Sequence, residues 1–282
     1  TGKFGQAVQH FQKALNTEPG LMDPLERLSE RLSRPWGVVS HLKGVRDSEA
    51  LREAYDACQP EVVAASLRIG QSRPVYDALV SLKEDASAWS NLTPAQRRAV
   101  ECEIRDAKLS GVALDGAEKE RYNEIAKELS ALSTEFSNNV IDATKAFAHV
   151  CEDASEVAGL PKSALELAAQ TAATRGGREG ANAEDGPWMF TLDAPSYMAV
   201  RMHAESRELR EKVYRAYLAR ASEFADAAEG EDGKKKGDNA PLIERILTLR
   251  AEKAKLLGFD NFAEVSMAKK MATLESAETL LE

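Results

Sequence analysis

The 282 residues are 43% hydrophobic and 29% charged, with 17 Gly and 10 Pro, which suits a soluble, helix-rich globular protein and not a disordered one. A formal charge of -9 repels nucleic acid and acidic lipid. No run approaches the ~18 apolar residues of a membrane span, so neither nucleic acid nor membrane is an expected partner.

The start, TGKFGQAVQHFQKALNTEP, spaces Gly2, Phe4, Ala7, Phe11 and Ala14 like the second half of a tetratricopeptide repeat. One half-repeat lacks the neighbours on which such units stack, so residues 1–15 read as a divergent amphipathic helix. Asp23-Pro24-Leu25-Glu26 combines a capping carboxylate, a proline at the first helical position and a returning glutamate. A helix is predicted from there with Leu25, Leu28 and Leu32 on one face, ending before Pro35 because a proline disfavours helix in the residue before it. Thr93-Pro94-Ala95-Gln96 repeats the capping logic and predicts a helix to about Ser110, followed by a turn between Gly111 and Gly116.

From Ala117 to Lys145 the steps of three and four between Tyr122, Ile125, Leu129, Leu132 and Phe136 define one apolar helix face. That face reads as core, with a coiled-coil seam as the other use of such a stripe. The pattern then changes. Phe147 to Cys151 and Trp188 to Leu192 are short apolar runs read as two strands that pair with each other. A helix over Ser163 to Thr174 and a glycine-rich connection over Arg175 to Gly180 lie between them.

Residues 202–222 read as a single helix with Leu209, Val213, Ala216 and Tyr217 inward and with Glu208–Lys212 and Glu211–Arg215 as i,i+4 ion pairs. Arg201, Arg207, Arg210 and Tyr214 are left as groups for a cleft or for a solvated surface. Residues 225–240 are polar and glycine-rich, and read as an exposed insertion in which Lys234, Lys235 and Lys236 are flanked by acids rather than built into a phosphate patch. A helix over Pro241 to Leu257 stops at Gly258. A last one starts at Thr273 and is cut at Glu282, which suggests a fragment.

Three cysteines, Cys58, Cys102 and Cys151, odd in number and far apart, fit neither a disulfide framework nor a zinc knuckle. A helical zinc peptidase needs H-E-x-x-H, because imidazoles at i and i+4 converge on one metal while the glutamate faces its water. His10, His41, His149 and His203 are the only histidines, and none has a second one four residues on. His149 and Cys151 share a face if 147–151 is a strand, and so offer a metal pair or a Cys–His dyad; the plainer use is core packing. No G-x-S-x-G elbow occurs. The residues therefore predict no catalytic or metal site, and no three side chains able to grip a divalent ion and prime a solvent molecule for attack.

Five blocks carry a family resemblance: RPWGVVSHLKGVRDSEALREAYDACQPEVV (34–63), GLPKSALELAAQ (159–170), GPWMFTLDAPSYMAV (186–200), RELREKVYRAYLARASE (207–223) and LRAEKAKLLGFDNFAEVSMAKKMA (249–272). In this order, and over about Asn16 to Glu282, the chain resembles the N-terminal part of the thimet oligopeptidase and oligopeptidase A family, most of all its organellar members. The resemblance implies a mainly α fold, the helical N-terminal half of a clamshell-like zinc oligopeptidase with a small two-stranded β element. It divides the chain into the N-terminal helix 1–15, a helical region 16–145, a strand-containing segment 146–200 and a helical region 201–282 that ends before the zinc site.

The same resemblance implies a zinc metalloendopeptidase that degrades short unfolded peptides, including cleaved targeting peptides, in a chloroplast or mitochondrion, with the cytosol as the alternative. Zinc belongs to the full-length enzyme and none to this chain, whose partner would be the missing C-terminal catalytic half. Its own expected role is substrate confinement, with Asp193, Tyr197, Arg201, Arg207 and Tyr214 near the cleft. The alternative is a stand-alone helical module that binds peptides or proteins without catalysis.

Overall fold

A computed structural model describes residues 22–225 and 237–282. The half-repeat of residues 1–15 and the Lys234–Lys236 run lie outside the described residues. Within them the architecture is mainly α, with one two-stranded antiparallel sheet. No described helix is long and apolar enough to cross a membrane.

The chain divides into two compact units, residues 1–131 with 247–282, and residues 132–246. The first contains α1 (Met22–Val45), α2 (Glu49–Gly70), α3 (Arg73–Glu84), α4 (Ala86–Asn91) and α5 (Pro94–Leu109). It also holds the N-terminal part of α6 (Gly116–Ala146), the C-terminal part of α10 (Ala240–Leu256), α11 (Phe262–Met267) and α12 (Leu274–Leu281). Leu25 of α1, Val75 and Leu79 of α3, and Val100 and Ile104 of α5 form its main core, while Leu109, Ala254 and Val265 form a second.

Thr93 caps α5 with the full reciprocal box expected: Gln96 N–H donates to Thr93 Oγ1 at 3.3 Å, and Thr93 N–H donates to Gln96 Oε1 at 2.9 Å. Buried Gln71, just past α2, donates to the Ser110 carbonyl at 2.9 Å and to Asn123 Oδ1 at 2.7 Å, joining the ends of α2 and α5 to α6. Tyr122, also buried, donates its hydroxyl to the Leu109 carbonyl at 2.8 Å. Arg121 grips Glu252 with two bonds, at 2.6 and 2.8 Å, which ties α6 to α10.

The end predicted before Pro35 is not there: α1 (Met22–Val45) runs through Pro35. An internal proline costs ~3 kcal/mol when it orphans a carbonyl and crowds the preceding turn, but here both Arg31 and Pro35 are exposed, where water reaches the freed carbonyl. Beyond it Trp36 stacks on Tyr55 of α2 with centroids 4.4 Å apart, and Lys43 lies 5.0 Å from the same ring. Packing of the second half of α1 onto α2 holds the helix together. At the far end α10 stops as expected at Gly258 (φ +78), where Phe259 N–H returns to the Ala254 carbonyl at 2.9 Å.

The second unit holds the rest of α6, β1 (His149–Cys151), α7 (Lys162–Arg175), β2 (Trp188–Phe190), α8 (Ala194–His203), α9 (Arg207–Leu218) and the start of α10. The two apolar runs do pair, over three residues each, with His149 opposite Phe190 and Cys151 opposite Trp188. β2 is buried throughout because α7 covers it. Around it Cys151, Leu160, Ala168, Ala169, Trp188, Phe190, Leu192, Val200, Leu209 and Val213 form one core. On α6 the apolar stripe is fully buried only at Tyr122 and Ile125, while Leu129, Leu132 and Phe136 are half-buried.

The exit of the insertion over 225–240 is anchored rather than exposed. Asn239 is 3% exposed, donates to the Phe136 carbonyl at 3.1 Å and accepts from Asn139 at 2.8 Å.

Candidate functional site

The reading of 202–222 as one helix is corrected by a break at Ala204–Ser206. Ser206 Oγ accepts the Leu209 N–H at 3.2 Å and so starts α9 anew. Glu205 N–H pairs outside the helix with the Ala158 carbonyl at 2.9 Å. The Arg210 guanidinium donates to the Ala204 and Glu205 carbonyls and ties the break together. Gly159 lies on the other side, at φ +82, with the His203 carbonyl 2.5 Å from where a Cβ would stand.

This break folds α8 against α9 and assembles a ladder of rings and guanidinium groups. Tyr197 of α8 stacks on Tyr217 of α9, with centroids 3.9 Å apart and planes 18° from parallel. Arg201 donates to Tyr197 Oη at 3.2 Å and lies 4.4 Å from the centroid of the Tyr214 ring. Arg220 covers Tyr217 at 3.6 Å and donates to Thr144 Oγ1 of α6 at 2.9 Å. Each cation sits on the electron-rich face of its ring, an arrangement that contributes roughly 0.5–2 kcal/mol according to its exposure.

Of the five expected residues, the structure thus joins Tyr197, Arg201 and Tyr214. Asp193 stands at the N-cap of α8, where its carboxylate accepts from the Thr191 hydroxyl at 2.9 Å, fixing the entry to the helix. Arg207 is the first residue of α9 and exposed; no described contact joins it to the ladder. Sequence reasoning missed Arg220 and assigned Tyr217 to packing alone. The signal lay in the spacing, since Tyr197–Arg201 is an i,i+4 pair and Tyr214, Tyr217 and Arg220 follow in steps of three.

Beside the ladder, Met198, Met202, Tyr214 and Leu218 are exposed at 48, 67, 41 and 61%. They form i,i+4 pairs, Met198 with Met202 on α8 and Tyr214 with Leu218 on α9, and Arg201 lies over the Tyr214 ring. Such a surface can hold an extended peptide by side-chain contact and cation–π attraction without sequence-specific hydrogen bonds.

The same unit brings together three side chains of metal-ligating type. Nitrogen, sulfur and oxygen ligand atoms of His149, Cys151 and Glu156 lie within 4.8 Å of one another. Glu156 reaches them from the turn after β1, a placement without helical or strand periodicity. Burial and neighbouring Glu156 push the Cys151 thiol up to about 12, while burial and Lys212 lower His149. Glu211 and Arg215 form their expected pair at 2.7 Å, whereas Glu208 and Lys212 lie near enough to His149 to affect its titration.

Comparison with known proteins agrees with the helical architecture. Residues 3–119 match the family described as Neurolysin/Thimet oligopeptidase, N-terminal domain, and residues 200–282 match Peptidase family M3. The chain is 51% identical over 276 residues to "Organellar oligopeptidase A, chloroplastic/mitochondrial" of Arabidopsis thaliana, covering 98% of this chain and 33% of the relative. It is 49% identical over 276 residues to "Probable cytosolic oligopeptidase A" of the same organism, covering 98% of this chain and 38% of that protein. Against "Oligopeptidase A" of Escherichia coli (strain K12) it is 40% identical over 261 residues, covering 93% of this chain and 36% of the relative. The chain thus spans about a third of the length of these relatives. Similarity along nearly all of its residues, joined to the helical fold, places the chain in the thimet oligopeptidase and oligopeptidase A family of peptidases, as its N-terminal part.

Proposed function

We propose that this chain is the substrate-confining portion of a zinc metalloendopeptidase that degrades short unfolded peptides, including cleaved targeting peptides, in a chloroplast or mitochondrion. The cytosol is the alternative compartment, given the two Arabidopsis relatives. The observation that carries this reading is the exposed apolar surface of α8 and α9 beside Arg201, in a chain whose relatives are oligopeptidases.

The zinc that the family implies does not fit the histidines present. None of the four is paired as H-E-x-x-H, the arrangement that holds such a zinc and aims a glutamate at its water. Their contribution is to bind and align a chain, for which exposed methionines and tyrosines supply adaptable contact and Arg201 a fixed charge. A surface of this kind favours short peptides without a fixed sequence.

The test is kinetic, in a polypeptide of the relatives' full length carrying this segment. Met202→Ala, Arg201→Ala and Tyr214→Ala raise KM and shift peptide-length preference while zinc content stays constant. Unchanged KM and unchanged length preference in all three variants contradict the reading.

A further inference from the structure

We propose that His149, Cys151 and Glu156 form a site for a borderline-soft divalent metal of the Zn²⁺ and Co²⁺ class, separate from any H-E-x-x-H centre. One nitrogen, one sulfur and one oxygen ligand suit these ions better than calcium or magnesium, which take oxygen alone.

The geometry is close to what such a metal requires. His149 and Cys151 lie two residues apart on one face of β1, held opposite Phe190 and Trp188 of β2. The turn over residues 153–156 brings the third ligand back. Glu156 N–H donates to the Asp153 carbonyl at 3.1 Å, and Asp153 N–H donates to Glu156 Oε2 at 3.4 Å. That turn is itself fixed by Ser155 N–H on Asp153 Oδ1 at 2.8 Å.

All three ligand atoms lie within 4.8 Å of one another. A tetrahedral ion with bonds of about 2.0–2.3 Å sets its ligands roughly 3.3–3.8 Å apart, so a contraction of at most about 1.5 Å closes the site. Small side-chain rotations of His149 and Glu156 can provide it.

Charge favours the same conclusion. Cys151 is buried with a Glu156 carboxylate oxygen within 4.8 Å of its sulfur, and Lys212 of α9 is exposed. On binding, the ion forms bonds to neutral His149, to the Glu156 carboxylate and to Cys151 sulfur. The S–H bond breaks, one proton passes to solvent, and no electron is transferred. Two negative ligands then balance the two positive charges, and the fourth position is left for water.

The test uses the metal-stripped 282-residue chain, titrated with Co²⁺ and then Zn²⁺. One equivalent of Co²⁺ is expected to give thiolate-to-metal charge-transfer absorption in the near ultraviolet, bleached by Zn²⁺. Cys58→Ser, at an exposed position, retains the band, and Cys151→Ser abolishes it. His149→Asn and Glu156→Gln, which leave the core sulfur in place and are checked for native circular dichroism, weaken binding by about tenfold or more. Absence of the band in the parent chain, its persistence in Cys151→Ser, or undiminished affinity in both His149→Asn and Glu156→Gln overturns the site. None of these readouts depends on peptidase activity.

Discussion

The guanidinium of Arg201 lies 4.4 Å from the centroid of the Tyr214 ring and clamps α8 to α9 beside an exposed apolar surface. Because both side chains are exposed, the contact contributes little to stability, roughly 0.5–1 kcal/mol. A double-mutant cycle of Arg201→Ala and Tyr214→Ala in urea unfolding should return a coupling in that range, shrinking as salt is added. Zero coupling would mean that the two groups move independently in solution.

Gly159 holds the break between the two helices in place. An alanine there meets the His203 carbonyl at 2.5 Å, in a backbone conformation (φ +82) that L side chains avoid. Gly159→Ala should destabilise the second unit by about 2 kcal/mol or more. Thermal unfolding measures the loss. Gly177→Ala serves as a comparison, with the same positive-φ strain and open space around it.

How much of this could be read from residue order depends on the range of the interaction. The Thr93–Gln96 box spans three residues, so its letters suffice, and the two strands were legible because apolar runs between turn residues have few other uses. The passage of α1 through Pro35 is decided by Trp36 meeting Tyr55 of another helix. Pairing of Glu205 with Ala158, across the fold, decides the break before α9. Glu156 escaped notice for another reason: it is only five residues beyond Cys151, but it returns through a turn that has no helical or strand periodicity. In the candidate site, the positions of Tyr197, Arg201 and Tyr214 were legible, but the folding-back that stacks Tyr217 and Arg220 on them was not.

Tyr122 sets a prediction for alkaline pH. Burial pushes its phenol from 10.0 up to about 12, so the folded chain keeps a proton that the unfolded chain gives up. The native state binds more protons between those values, and stability therefore falls as pH rises through the window, by up to ~1.4 kcal/mol per pH unit for this group. Tyr122→Phe removes this slope. At neutral pH it also loses the bond to the Leu109 carbonyl, costing about 1–2 kcal/mol. Urea midpoints of both chains at neutral pH and across the alkaline range provide the check.

The central claim is that these residues confine a peptide and do not cut it. Quenched fluorogenic peptides incubated with the purified chain at saturating zinc measure this most directly. We predict no turnover above buffer, and turnover once the segment is part of a polypeptide of the relatives' full length. Hydrolysis that co-purifies with the 282-residue chain and scales with its concentration would contradict the account.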